Sequence, residues 1–89
     1  MVGLAEAQVP NLDRLTRAEL GRFIDDTEGR RNLWGRRRGG VRATEQLREY
    51  ALLRASALSY REARDFARAA REEAACARLL AELPDWARW

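Results

Sequence analysis

Apolar residues along the chain fall into three stretches of helical spacing, separated by polar or glycine-bearing breaks. In the first, Leu15, Leu20, Phe23 and Ile24 recur at roughly helical intervals. Thr16-Arg17-Ala18-Glu19 reads as a capping box, the threonine oxygen accepting from the N–H of Glu19 while the glutamate reaches back. Leu12 and Leu20 flank it as an apolar clasp, and Gly29 suits a helix stop. The pattern predicts a leader over 1–12 and a helix over 13–28. In the second stretch Thr44 is the candidate N-cap, and Leu47, Tyr50, Ala51 and Leu58 predict a helix over 44–63. Asp65 is the next candidate cap and predicts a third helix over 65–83. Pro84 then opens a tail over 84–89 that carries Trp86 and Trp89. The segment 29–43 is left as a loop, broken by Gly35, Gly39 and Gly40. The two later helices have nearly equal lengths, about 27–29 Å. The fold class is therefore all-α: a short N-terminal helix, an arginine-rich loop, then a long antiparallel helical hairpin with a Trp-bearing C-terminal tail. An uninterrupted helix over 44–83 is the competing reading, because Arg64-Asp65 offers neither glycine nor proline. That arrangement requires dimerisation to bury its stripe.

Ala63, Ala67, Ala70, Ala74, Ala77 and Ala81 recur at alternating spacings of four and three. This is a heptad seam made of alanine, which lets a partner helix approach closely. The neighbouring helix, with its small Ala51 and Ala55, is the expected partner, and a second copy of the chain is the alternative. Cys76 falls on an apolar face with Leu80 and Leu83 and reads as a buried thiol, an intermolecular disulfide being the other reading. Arg68 with Glu72, and Arg78 with Glu82, stand four apart and read as surface pairs.

Eighty-nine residues make one small domain, and sixteen of them are alanine, so large apolar groups are scarce. Help from a partner or from self-association is expected of so small a core. Histidine and lysine are absent and cysteine occurs once. Those absences remove most nucleophilic, general-base, zinc-hydrolase, Schiff-base and P-loop chemistries. No catalytic residue, metal site or cofactor is expected. No apolar run is long enough to span a membrane, and the amino terminus does not read as a signal peptide.

Charge is distributed unevenly. Residues 1–29 carry three arginines and six acids, and residues 43–89 carry eight of each. The intervening Arg30–Arg42 carries six arginines and no acid, so it accounts for more than the whole formal net charge of +3. Arg30, Arg31, Arg36, Arg37, Arg38 and Arg42 could fork onto phosphate oxygens, with Trp34 stacking on a base. The same residues could meet an acidic protein partner, or form a solvated loop in an arginine-biased proteome. Trp86 and Trp89 stand three apart. They either close the apolar end of the hairpin or serve as aromatic anchors for a partner.

Ala43-Thr44, Leu47, Tyr50-Ala51, Ala55, Arg61-Glu62, Asp65, Ala69, Glu73, Cys76 and the closing Leu83-Pro84-Asp85-Trp86-Ala87-Arg88-Trp89 resemble a group of short bacteriophage and environmental-virus proteins of unknown activity. Their shared ending is Leu-Pro-acid-aromatic-Ala-basic-Trp. Asn11-Leu12-Asp13 and Leu15-Thr16 are also similar to theirs. In that group a glycine stands at the position of Arg64, and the middle segment is less arginine-rich. The resemblance implies a viral or prophage origin, host cytoplasm at synthesis and a place in the virion as an alternative. The expected role is a non-enzymatic accessory or virion-associated protein acting through contacts with itself or another virion or host protein. A small nucleic-acid-binding protein using the loop 30–42 is the alternative.

Overall fold

The computed structural model describes residues 8–89, so most of the leader lies outside the described residues. Those residues form four α-helices and no strand: α1 (Arg17–Asp25), α2 (Thr27–Trp34), α3 (Gly40–Glu62) and α4 (Phe66–Glu82). Short 3-10 turns occupy Leu12–Arg14 and Asp85–Ala87.

Thr16 sets the start of α1. Its hydroxyl accepts from the Glu19 N–H at 3.2 Å, and the Glu19 carboxylate accepts from the Thr16 N–H at 2.9 Å. Leu15 and Thr16 are both extended, so the helix cannot begin at residue 13 as the spacing predicts. Asp13 lies instead in the preceding 3-10 turn, capped by the Asn11 side chain. Nor does the chain stop at Gly29. It bends at Asp26, where the Thr27 hydroxyl donates to the Ile24 carbonyl at 2.7 Å, and continues as α2. The bend lets α2 bury Trp34 completely.

The expected loop over 29–43 shrinks to residues 35–39. Two glycines make that short connection possible. Gly39 has φ +68°, a left-handed conformation that L side chains adopt at a cost. A Cβ on Gly40 would lie 1.8 Å from the Trp34 carbonyl oxygen, so only glycine fits where the backbone of α3 meets the end of α2. Consequently α3 begins at Gly40, four residues before the expected cap. Thr44 is an interior residue whose buried hydroxyl donates to the Gly40 carbonyl at 2.7 Å.

The break between α3 and α4 falls at Ala63-Arg64-Asp65, and the continuous helix over 44–83 does not form. Arg64 takes φ 60°. The Arg64 N–H donates to Arg61 O and the Asp65 N–H to Tyr60 O, the paired bonds of a Schellman motif. Asp65 then caps α4 by accepting from the Arg68 N–H at 3.3 Å.

The two long helices pack against each other. Arg61 meets Glu73, the Tyr50 carbonyl accepts from Cys76 Sγ at 3.8 Å, and Gln46 meets Glu82. The inward face of α4 runs through Ala69, Cys76 and Leu83, each at most 4% exposed. All six alanines of the predicted seam are exposed. The alanine seam faces away from α3, and the buried stripe lies one position from it. Ala69, Cys76 and Leu83 also repeat every seven residues, and Leu79 and Leu80 beside them bring more apolar area into the core. The charged pairs differ too: Glu73 joins Arg61 and Arg54, and Arg68 joins Asp65.

Candidate functional site

The six arginines singled out by charge are sorted by the fold into distinct environments. Arg30, on α2, lies with its guanidinium carbon 4.7 Å from the Phe23 ring centroid and 5.5 Å from that of Trp34. Trp34 itself is 0% exposed and packs 6.2 Å from Phe23. It is a core residue, and the expected stacking on a base is closed to it. Arg31 reaches across to α3 and pairs with Glu45 at 3.2 Å.

Arg36, Arg37 and Arg38 occupy the turn, and Arg42 follows in the first turn of α3. All four are exposed. The side chains of Arg36, Arg38 and Arg42 have no partner among the described residues. Arg37 stacks with its guanidinium carbon 4.9 Å from the Trp86 ring centroid. The turn backbone is tied down at Gly35 N–H to Arg31 O, Arg37 N–H to Trp34 O and Gly40 N–H to Arg37 O, all at 2.8–2.9 Å. Trp86 adds an indole N–H donated to the Arg38 carbonyl at 3.2 Å.

The structure therefore brings Trp86 to the basic turn and takes Trp89 elsewhere. The Trp89 indole donates to Asp13 Oδ2 at 3.1 Å, and its ring meets Tyr50 edge-on at 4.9 Å. Both tryptophans are half-buried. Asp13 stands in the Asn11-Leu12-Asp13 segment that carries the resemblance, but nothing in the sequence marks it as the junction it is. It also accepts from the Tyr50 hydroxyl at 2.6 Å and stands 3.9 Å from Arg54 Nε. The contact with Trp89 spans 76 positions, and no local pattern encodes it.

Titration behaviour follows from these contacts. Burial pushes the Cys76 thiol up to about 11, so it stays protonated at neutral pH and is a poor nucleophile. Burial, then the hydrogen bond to Asp13, raises the Tyr50 hydroxyl. The forked bond from Arg61, at 2.6 and 3.0 Å, holds the Glu73 carboxyl below its ordinary range. Among the described residues no group of three or more histidine, cysteine or acidic side chains is placed to hold a metal, and no helix is long and apolar enough to cross a membrane. Comparison of the chain with models of known families, with curated proteins and with solved structures gives no match.

Proposed function

We propose that the chain is a non-enzymatic accessory protein, of the viral kind its closing motif resembles, that acts by protein–protein contact through the basic turn. In this reading the protein works in the host cytoplasm or the virion. An antiparallel helical hairpin is the scaffold, and its Trp-bearing tail braces the turn. The observation that carries the reading is a set of three exposed, unpaired guanidinium groups, Arg36, Arg38 and Arg42, on a backbone fixed by hydrogen bonds. Guanidinium forks match carboxylates in charge and geometry, and a stiff frame reduces the ordering cost of binding.

The geometry supports nucleic acid less well. Trp34 offers no face for a base, Arg30 lies against aromatic rings, and Arg31 is paired. Three free arginines correspond to a log–log salt slope near −2.7 on duplex DNA, roughly 0.9 per phosphate neutralised.

Fluorescence anisotropy with a labelled polyglutamate peptide and a labelled duplex, at two salt concentrations, tests the proposal. The expected result is peptide binding that is lost in Arg36→Gln/Arg38→Gln/Arg42→Gln while circular dichroism stays unchanged. Tighter binding to the duplex than to the peptide, still present above about 150 mM salt, would overturn it in favour of the nucleic-acid reading.

A further inference from the structure

Large apolar side chains remain exposed at Val41, Leu52 and Phe66, at 50%, 42% and 58%. Two of them lie on α3, eleven positions apart, which is close to three turns and about 16 Å along one face. Gly35 runs beside Val41, since a Cβ there would lie 3.5 Å from Val41 Cγ2, so the basic turn borders this apolar position. Glu45 and Arg48 stand between the two apolar positions. With Thr27, Glu28, Arg31 and Thr44 they line a groove of about 410 Å³ between α2 and α3. The face is also polar along its length. At the Val41 end stand Arg36, Arg37, Arg38 and Arg42 with no acid within 35–42, in the middle Glu45 is paired with Arg31 at 3.2 Å, and near Leu52 the charges of Arg48 and Glu49 offset each other.

We infer that this face of α3 and the basic turn form one docking surface for an acidic amphipathic helix of a protein partner. The inference rests on the protein-contact reading above and specifies the partner. The occupant's apolar side chains rest on Val41 and Leu52, and its carboxylates lie over Arg36, Arg38 and Arg42. A helix repeats its anchors every three to four residues, which suits two apolar points three turns apart. Charge sets the direction, because only one end of the surface is strongly basic. Duplex DNA presents a phosphate surface that leaves Val41 and Leu52 uncovered. A second copy of the chain, paired about a two-fold axis, offers the basic turn only a neutral Arg48–Glu49 end.

Two labelled peptides of about 18 residues, five helical turns, serve as probes. One is an amphipathic Glu/Leu helix, and the other has the same charge with serine in place of leucine. The Glu/Leu peptide should bind about tenfold more tightly than the Glu/Ser peptide, and Val41→Ser and Leu52→Gln should each weaken it about fivefold, as partial burial of one aliphatic side chain predicts. Neither change should alter Glu/Ser binding or the melting temperature. Equal affinity for the two peptides, or indifference to both substitutions, overturns the inference. If Glu/Ser binding still depends on the arginines in that case, the basic-turn function stands without it. Loss of binding to both peptides removes both. Self-association that Val41→Ser abolishes gives the surface to a second copy and overturns the inference as well.

Discussion

Arg64 holds a left-handed backbone at φ 60°, where a side chain costs roughly 1–2 kcal/mol relative to glycine. Glycine loses about 0.5–1 kcal/mol through its freer unfolded state, so Arg64→Gly should still stabilise the protein by up to about 1.5 kcal/mol. A thermal melt should show a rise of a few degrees, and a fall would mean that the Schellman geometry is wrong. Gly40 behaves in the opposite way. Gly40→Ala drives a methyl into the Trp34 carbonyl and should cost about 2–3 kcal/mol or more, because backbone has to move. Trp34→Ala removes the largest fully buried side chain, a loss of about 3–5 kcal/mol, so it should unfold the protein and not merely weaken binding. Trp34 shows where reading by composition fails. A tryptophan among arginines suggests a binding surface, but packing against Phe23, eleven positions away, takes it into the core.

Two helix caps made by short-range hydrogen bonds were legible in the sequence, whereas the start at residue 13 and the cap at Thr44 were not. The Thr16–Glu19 box and the Asp65 cap lie where their residue types place them, because both partners sit within three positions. Thr16→Ala should lower stability by about 0.5–2 kcal/mol, visible in the same melt. The choice of face on α4 was not legible. Two stripes one position apart both repeat every seven residues, and only tertiary packing selects Ala69-Cys76-Leu83. Ala69→Leu should therefore overpack the contact and cost about 1–3 kcal/mol. Ala74→Leu and Ala77→Leu, on the exposed stripe, should stay within about 0.5 kcal/mol of the parent, and a large loss at either would restore the buried alanine seam. The short extent of the basic turn, residues 35–39, was not legible for a related reason. Glycines at 35, 39 and 40 mark a break, but a carbonyl 1.8 Å from a hypothetical Cβ, a contact outside the reach of local pattern, makes it only five residues long.

For the molecule as a whole, pH should act from both sides. Glu73 and Glu19 have carboxyls lowered from 4.5 in the fold, through the Arg61 and Thr16 hydrogen bonds respectively. Their contribution is complete above pH 4.5 and declines as pH falls below it. Cys76 is raised from 9.0 to about 11, and Tyr50 is raised as well. The folded state holds those protons more tightly, so stability should fall as pH rises above 9. Melts at pH 3, 7 and 10 should show a maximum near neutrality. Glu73→Gln should reduce the acid loss and Cys76→Ala the alkaline one, and a flat profile would contradict the contacts described.

Trp86 and Trp89 reach residues 48 and 76 positions away, whereas the α3–α4 connection is made within a few residues. Closing long loops is slow, so the paired helices should assemble first and the tail should fasten last. What fastens last through few contacts is usually first to open. In native-state hydrogen exchange the two indole N–H protons should therefore trade with solvent well before the central amides of α3. Each such opening releases the Arg38 carbonyl and the face of Trp86 beneath Arg37, so the turn is bound to a clasp with its own clock.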